Sequence, residues 1–353
     1  MTGDAPNQTG CYRPAAPAAE ARVQWPADFG TRFTIFVDTE EEFDWAKPFD
    51  RASRGTSHMA AMPDAHARFA AHGVPLTYLI DHPIVTSPEA VGILRHLLED
   101  GRSAIGTQLH PWVNPPFDEE VSSFNSFTGN LPLELQEAKL VSLTEAIAEA
   151  FGAKPLVYRA GRYGIGLATI DLLARHGYRA DSSMRSAYDY SRESGPDFSA
   201  IPNHAFRIGG MLELPLTTIF TGWGRRGGAA LHRSLARVPK GLGAASRLGI
   251  LSRVALTPED MPIAEAKEAV RIAMGEGLRL LNFSFHSPSV EPGHTPYVRD
   301  AADLAAFYRW WGDILALLQQ LGARPASLAQ IIAAADACGP APASARASVA
   351  GGL

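Results

Sequence analysis

Short apolar runs alternate with longer amphipathic stretches over most of the chain. Residues 32–37, Arg-Phe-Thr-Ile-Phe-Val, are β-branched and aromatic, which is typical of a buried strand. Residues 87–100 begin with Ser and Pro and are followed by Gly101, a pattern that indicates the start and the stop of a helix. Strands and helices in alternation predict a parallel sheet with right-handed crossovers.

The same patterns predict the other elements. Predicted strands cover residues 32–37, 75–80, 103–109, 156–159, 178–182, 211–216 and 278–285. Predicted helices cover residues 59–71, 87–100, 131–151, 167–176, 262–274 and 301–321. About seven parallel strands with intervening helices predict an α/β fold, a (β/α) barrel that is distorted by its uneven spacing.

Composition divides the chain into one domain with two tails. Residues 1–30 and 339–353 are rich in Ala, Pro and Gly, so we expect a flexible N-terminal arm and a flexible C-terminal tail around a barrel domain at 31–338. Residues 222–256 break the alternation, being basic and glycine-rich, and predict an insertion over the barrel mouth. Its charge suits a phosphate-bearing substrate or an anionic surface, or simply a solvated face.

Overall composition restricts the class of protein. The 353 residues are 46% hydrophobic and 20% charged, which is a globular balance. A net charge of −5 gives no indication of a nucleic-acid partner. Two cysteines exclude a disulfide framework, and neither a secretory signal nor a transmembrane segment is evident. We therefore expect a cytoplasmic protein.

Polar residues of unusual type lie at the predicted strand ends. They are Asp38, Asp81, His110, Arg159, Asp181 and His286. Chemistry in parallel barrels takes place at the carboxyl ends of the strands, so we expect these side chains to converge.

Two pairs of these positions suggest metal and proton chemistry. Asp38 and Glu40 lie two residues apart and share a face if the strand continues, so one could bind a metal while the other takes a proton from water. Gln108 and His110 share a face in the same way, and His110 is either a ligand or a hydrogen-bonded structural residue. His286 ends an apolar strand and suits a general acid, because its ordinary pKa lies near neutrality.

Taken in order, these segments resemble the polysaccharide deacetylases, carbohydrate esterase family 4. Residues 37–40, Val-Asp-Thr-Glu, are similar to the opening acidic motif of that family, and residues 106–110 to its histidine motif. Residues 159–163, Arg-Ala-Gly-Arg-Tyr, are similar to its arginine motif, and residues 285–287 to its closing histidine motif. The resemblance covers residues 32–334.

The resemblance implies a metal-dependent hydrolase that removes an acetyl group from an N-acetylated sugar or glycan precursor. Asp38 would be the base and His286 the acid, with Arg159 and Asp181 in support. Glu40 and His110 would hold a divalent metal, zinc foremost. The residues assigned to substrate binding are Gln108, Trp112, Asn114, Arg162, Tyr163 and His294.

One departure from the family pattern leaves alternatives open. The family usually has two histidines in its second motif, whereas this chain has Gln108 before His110, or Asn114 after it. The metal would then be weakly bound, completed by Asp181 or Glu41, or absent. A catalytically degenerate carbohydrate-binding or regulatory protein is one alternative, and an amidohydrolase of a small ureide or formamide is another.

Overall fold

The computed structural model describes residues 11–338. The strands are β1 (Arg32–Thr39), β2 (Leu76–Ile80), β3 (Ala104–Leu109), β4 (Val157–Ala160), β5 (Ala180–Asp181), β6 (Phe206–Ile208), β7 (Met211–Glu213), β8 (Thr218–Thr221), β9 (Ser252–Ala255), β10 (Leu280–His286) and β11 (Arg324–Pro325). The helices are α1 (Met62–Ala70), α2 (His82–Thr86), α3 (Pro88–Leu97), α4 (Leu133–Phe151), α5 (Leu167–Arg175), α6 (Gly228–Ala236), α7 (Gly241–Arg247), α8 (Ile263–Gly275), α9 (Ala301–Gln320) and α10 (Leu328–Ala337).

The main sheet is a curled, parallel half-barrel, which confirms the predicted α/β barrel class. Its strands follow the order β10, β1, β2, β3, β4, β5, β7, β6, and β11 also pairs with β1. All of these pairs are parallel except β6 with β7. The carboxyl ends of β1, β3, β4 and β10 therefore meet at one edge.

The half-barrel is joined across its gap by side-chain and backbone contacts rather than by a ladder. Asn282 on β10 donates from Nδ2 to the carbonyl of Leu214 at 2.9 Å. The backbone N–H of Asn282 donates to Thr217 Oγ1 at 2.9 Å. These bonds fix β10 against the segment after β7, so the site is enclosed from that side.

The alternation of side chains along β1 explains how the site is placed. Ile35 and Val37 are fully buried and pack with the helical layer, whereas Phe36 belongs to the core inside the barrel. Because residues two apart in a strand share a face, Asp38 lies above Phe36 on the interior side. The strand thus carries a carboxylate directly onto the apolar floor of the barrel.

The described part of the N-terminal arm differs from the loose segment that we expected. Val23 and Phe29 are buried with the interior core, next to Leu328 and Ile331 of α10. The backbone N–H of Val23 donates to the carbonyl of Ala205 at 2.9 Å. Burial of apolar side chains therefore holds residues 11–30 in place, while residues 1–10 and the predicted tail at 339–353 lie outside the described residues.

Residues 222–256 form an excursion at the side of the barrel, and Arg253 from this segment packs on Tyr188 near the barrel mouth. β8 and β9 pair in antiparallel fashion and carry α6 and α7 between them. Among the described residues, the central cleft is lined by none from this segment. β8 and β9 pack on α8, which holds the excursion at the side of the barrel. Within residues 11–338, no helix is both long and apolar enough to cross a bilayer.

Candidate active site

A cleft of about 340 Å³ opens at the carboxyl ends of the strands. Nine of the predicted site residues line it, namely Asp38, Glu40, Gln108, His110, Trp112, Arg159, Arg162, Tyr163 and His286. They come from four separate strands and the loops that follow them. The fold therefore brings most of the predicted site together.

Asp38 lies at the centre of the cleft floor between a cation and an imidazole. Arg159 Nη1 donates to Asp38 Oδ1 in a fully buried pair. Arg159 is itself held by Ser182, whose carbonyl accepts from Nε at 2.9 Å and whose Oγ accepts from Nη2 at 3.1 Å. The second oxygen of Asp38 lies 3.8 Å from His286 Nε2. One oxygen is thus fixed while the other faces the cleft.

His286 is positioned by a buried carboxylate on the loop after β9. Its Nδ1 lies 2.7 Å from Glu259 Oε2, and its backbone N–H donates to Glu259 Oε1 at 3.0 Å. Burial lowers the pKa of His286, but the carboxylates of Glu259, Glu40 and Asp38 outweigh it and raise the pKa to about 10. A pKa above neutrality favours the protonated imidazole, the form that a general acid needs.

Glu40 and His110 face each other on the opposite side of the cleft floor. His110 Nε2 lies 3.5 Å from Glu40 Oε2, and Gln108 Nε2 donates to the same oxygen at 3.4 Å. Burial raises the pKa of Glu40 to about 8, against the opposing effect of His286 and His110. Glu40 Oε1 and Gln108 Oε1 are buried, and neither has a hydrogen-bond partner among the described residues.

Behind His110 lies a buried carboxylate pair. Glu41 Oε2 is 2.7 Å from His110 Nδ1, and Glu41 Oε1 accepts from Trp112 Nε1 at 2.7 Å. Asp81 Oδ2 accepts the backbone N–H of Glu41 at 2.7 Å, and its Oδ1 accepts that of Ile84 at 2.9 Å. Burial raises the pKa of Glu41 to about 7 and that of Asp81 well above its ordinary range.

These residues form two groups of side chains of the types that bind metals. Glu41, Asp81 and His110 each offer a donor atom within 4.8 Å of the others, so this buried group could bind a metal. Its carboxylate oxygens, however, already accept hydrogen bonds, and neither Glu41 nor Asp81 lines the cleft. On the cleft side, His110 Nε2 and the unpartnered oxygens of Glu40 and Gln108 are further donor atoms of the types that bind metals. A carboxylate on Nδ1 is the usual support of a metal-binding imidazole.

A close approach of backbone explains the glycine of the arginine motif. A Cβ on Gly161 would overlap His110 Cδ2 and come within 2.8 Å of the carbonyl of Leu109. Gly161 therefore lets the turn after β4 pack directly on the imidazole. The next two residues, Arg162 and Tyr163, have φ of 53° and 61°, a left-handed conformation that side chains rarely adopt. Such backbone is found where function fixes a loop.

The cleft rim is aromatic and cationic. Trp45 is 36% exposed and meets the rings of His286 and Tyr297 edge-on, at centroid distances of 5.2 and 5.5 Å. On the facing side, the guanidinium carbon of Arg185 lies 3.9 Å from the ring centroid of Tyr188. The Arg253 guanidinium carbon, from the excursion, lies 3.6 Å from the same centroid. Two groups so close must occupy opposite faces, so Tyr188 is sandwiched between them.

Three predicted site residues lie outside the cleft. Asn114 is buried beneath it and donates to the carbonyl of Lys139 at 3.0 Å. His294 lines a neighbouring cavity and lies 3.6 Å from Glu42. Motif spacing predicts Asn114 as a site residue, and a turn next to the last strand predicts His294. Neither feature determines on which side of the loop the side chain lies.

Asp181, the third, also differs from its predicted role, because its partner is not Arg159. It accepts from Ser183 Oγ at 2.6 Å and pairs with Glu213, which the β5–β7 register sets beside it. Burial, and then the neighbouring carboxylate, raises the pKa of Glu213 well above its ordinary range. Two buried carboxyls side by side are hard to ionise together, because like charges repel in a medium of low polarity.

Trp112 lines the cleft but is only 2% exposed. Its ring stacks on His110 at a centroid distance of 4.4 Å and its Nε1 donates to Glu41. This geometry makes it a support for His110 rather than a surface for substrate. Trp45, by contrast, lines the cleft and is 36% exposed.

Sequence patterns did not point to several residues that build the site. Glu259 follows β9, a strand that the sequence pattern did not predict, and together with Asp260 it matches no motif. Lys139 lies within a predicted amphipathic helix, yet its buried Nζ donates to the carbonyls of Asn114 and Pro116 at 2.6 Å and fastens the loop after β3. Glu41 is one of five acidic residues within segment 38–44, and the sequence does not show which of them turn inward.

A second chain of hydrogen bonds supports Glu40 from behind. The backbone N–H of Glu40 donates to Ser287 Oγ at 3.3 Å, and Ser287 Oγ lies 2.8 Å from His58 Nε2. His58 Nδ1 lies 3.0 Å from Glu42 Oε1. All of these contacts lie behind the cleft floor, so they fix Glu40 rather than act on a substrate.

Solved structures show which fold this is. Two proteins described as polysaccharide deacetylases, from Mycobacterium smegmatis and Pseudomonas aeruginosa PAO1, match with TM-scores of 0.50 each, at 18% and 12% identity. The matches cover 92% and 87% of this chain and 96% and 91% of those chains. The Puue allantoinase matches with a TM-score of 0.51 at 11% identity, over 90% of this chain and 94% of the other. Neither a protein-family model nor a curated protein matches the sequence.

The protein therefore has the polysaccharide deacetylase fold, and the resemblance seen in the sequence is confirmed at that level. The allantoinase match shows that the same architecture also occurs in a protein that is not described as a deacetylase. A fold accommodates many reactions, so the activity has to be inferred from the residues of the cleft.

Proposed function

We propose that this protein is a hydrolase that removes an acetyl group from the nitrogen of an N-acetylated sugar or glycan precursor, with the help of a divalent metal. The observation that carries the proposal is the arrangement around Asp38. A carboxylate held by Arg159 faces a protonated His286, beside the paired side chains of Glu40 and His110. A base, an acid and a cation-binding pair in one cleft are the parts that amide hydrolysis needs.

Asp38 serves as the base in this proposal. It accepts a proton from the water that attacks the acetyl carbonyl, using the oxygen that faces the cleft. Arg159 keeps that carboxylate oriented and compensates its charge in the buried site. A divalent cation held by Glu40 and His110 would polarise the carbonyl and make the water easier to deprotonate.

His286 serves as the acid. As the carbon–nitrogen bond breaks, the amine nitrogen needs a proton, and His286 Nε2 supplies it from the cleft side. Glu259 holds the proton on the other ring nitrogen and stabilises the imidazolium. The products are acetate and a free amine, and the proton taken by Asp38 replaces the one given by His286 after release.

The cleft also indicates the chemistry of the substrate. Trp45 offers an exposed ring edge and face of the kind that packs against a sugar. Four lysine and arginine side chains line the cleft, and three of them pair with a carboxylate, Lys47 with Asp44, Arg159 with Asp38 and Arg162 with Glu193. Arg185 has no carboxylate partner among the described residues, and its buried Nε has no acceptor. We infer that the substrate carries an anionic group, a carboxylate or a phosphate.

Assay of acetate release tests the proposal. Purified protein, loaded with zinc or another first-row divalent metal, is incubated with N-acetylglucosamine, its 1-phosphate and short N-acetylated oligosaccharides, with and without a chelator. Release that stops with the chelator and in Asp38→Asn supports the hydrolase. No release from any of them, with metal bound, would contradict it.

A carbohydrate-binding protein without activity is the second candidate. It is favoured by Gln108, which occupies a position where the resemblance implies an imidazole and which donates to Glu40 instead. It predicts sugar binding that a chelator does not change. An amidohydrolase of a ureide or formamide is separated from both by adding allantoin and formamide to the same assay. A cytoplasmic location stays a prediction.

A further inference from the structure

Residues 222–256 form a lobe that is strongly basic in an acidic protein. The protein has a net charge of −5, yet the lobe has no Asp or Glu. Its basic residues are Arg225, Arg226, Arg233, Arg237, Lys240, Arg247 and Arg253. A surface of one sign attracts a partner of the opposite sign.

Little of this charge is used inside the molecule. Among the described residues, Arg225 pairs with Glu276 and Arg253 stacks on Tyr188. The other basic side chains of the lobe have no ion pair within residues 11–338. Helix α6 buries none of its residues and α7 buries Ala245 alone. The lobe therefore presents its side chains outward.

Large apolar side chains are exposed beside the basic ones. Trp223 is 79% exposed and Leu248 is 70% exposed. The backbone N–H of Trp223 donates to the carbonyl of Gly249 at 3.1 Å, which sets Trp223 next to Leu248. Arg226 and Arg247, both exposed, are close to them in sequence. Val238, 56% exposed, adds a third apolar side chain.

We propose that this lobe docks on the surface of an anionic lipid bilayer. Lys and Arg near such a surface are attracted by its negative potential. Tryptophan prefers the level of the lipid headgroups, and aliphatic side chains gain by entering the acyl boundary. A nucleic acid would use the charge but gives no benefit to exposed Leu248 and Val238. The combination of charge and apolar side chains therefore favours a membrane.

Co-sedimentation of the full chain with vesicles tests this proposal without any use of activity. We expect binding to phosphatidylcholine vesicles that contain phosphatidylserine, weak binding to phosphatidylcholine alone, and a loss of binding as salt is raised. The double variant Trp223→Ser/Leu248→Ser and the double variant Arg226→Gln/Arg247→Gln should each weaken binding by about tenfold or more.

Matched controls are available elsewhere on the surface. Leu167→Ser removes an exposed leucine of α5, and Arg309→Gln removes an exposed arginine of α9, and both should bind as the wild type does. All of these side chains are exposed, so we expect every variant to fold. Thermal unfolding checks that each one does. Absence of binding to the anionic vesicles at low salt would overturn the proposal. Equal binding to heparin or duplex DNA, unchanged in Trp223→Ser/Leu248→Ser, would also overturn it.

Discussion

Glu259 holds His286 at two points, one on the ring and one on the backbone. Its Oε2 lies 2.7 Å from His286 Nδ1, and its Oε1 accepts the His286 N–H at 3.0 Å. Ser289 Oγ donates to the same Oε1 at 2.7 Å, which fixes the carboxylate in turn. The direction in which His286 Nε2 points therefore depends on Glu259, which is also the carboxylate that contributes most to raising the pKa of the ring.

Removing that charge should change the pH dependence of catalysis. In Glu259→Gln the pKa of His286, about 10 in the wild type, should fall by about 1 to 3 units, because an opposite charge has been removed. Loss of the acid form on raising the pH then begins earlier, and the alkaline limb of kcat moves to lower pH. A pH–rate profile measures the shift.

The amide introduced by Glu259→Gln keeps the size of the side chain, so a structural role alone would reduce kcat equally at all pH values. Asp260→Asn is a matched control, because the neighbouring acid has no contact with His286 among the described residues. An unshifted alkaline limb in Glu259→Gln would contradict the assignment of His286 as the acid.

Asp38→Asn should abolish proton transfer from water. We expect kcat to fall by about 10² to 10⁴-fold, the usual contribution of a general base. The buried Arg159 would lose its compensating charge, so stability should fall as well, by up to about 3–5 kcal/mol. Activity and thermal unfolding are measured together, and Asp50→Asn, an exposed acid of the same loop that does not line the cleft, should change neither. Wild-type turnover in Asp38→Asn would contradict its role.

Metal content separates the two candidate metal positions. We expect about one equivalent of a divalent metal by elemental analysis of protein purified without a chelator or a histidine tag. Glu40→Gln and His110→Gln should lose it, while Glu41→Gln should weaken affinity by about 10- to 100-fold, as loss of a supporting carboxylate does. His96→Gln, an exposed histidine, should retain the metal.

Suppose that the metal is retained in Glu40→Gln but lost in both Glu41→Gln and Asp81→Asn. That result would place the metal in the buried group of Glu41, Asp81 and His110. Protein that binds no metal even after reconstitution would remove the basis of the hydrolase and favour the carbohydrate-binding protein.

Arg185→Gln should discriminate between charged and neutral substrates. We expect kcat/KM for N-acetylglucosamine 1-phosphate to fall by about 10- to 100-fold, the value of a charged hydrogen bond, with little change for N-acetylglucosamine. Arg185→Lys should restore part of the loss, because it restores the charge. Equal losses on both substrates would mean that Arg185 shapes the cleft without binding an anion.

The carboxyl pair below the site should limit stability at high pH. We expect Asp181 and Glu213 to share a proton in the folded chain, because they lie side by side and burial raises the pKa of both. A carboxyl with a raised folded pKa contributes stability below its unfolded pKa, near 4, and that stability is lost as pH rises toward the folded value. The free energy of unfolding should therefore decrease above about pH 4 on account of this pair.

Glu213→Gln removes this loss, since an amide can donate to Asp181 and needs no proton. We expect the variant to gain stability relative to the wild type between about pH 5 and pH 9, by about 1–3 kcal/mol. Urea unfolding at the two ends of this pH range measures the difference in free energy of unfolding between the variant and the wild type. Glu276→Gln, an exposed acid, should show no such trend. A constant difference at all pH values would argue against a shared proton.

The helices and strands that have a clear hydrophobic periodicity could be predicted from the sequence. Helix α9 was expected at 301–321 and lies at Ala301–Gln320, and strand β10 was expected at 278–285 and lies at Leu280–His286. Helix α2 was missed because it has only five residues, and β8 and β9 were missed because a basic, glycine-rich segment hides two short strands.

Site residues at strand ends were predictable for a related reason. Strand register sets Asp38 beside His286 and Gln108 beside Arg159, so parallel strands bring their ends together whatever the loops do. Glu259, Lys139 and Asn114 lie on loops or on a long helix, where the side on which a polar residue faces depends on contacts far along the chain. The local sequence pattern does not show those contacts.

The sandwich of Tyr188 between Arg185 and Arg253 ties the basic lobe to the cleft. A lobe that shifts when it meets lipid has to move Arg253, and with it the ring against which Arg185 rests. Any coupling between lipid and substrate through this stack is reciprocal, so the factor by which an anionic substrate changes lipid affinity equals the factor by which lipid changes substrate affinity.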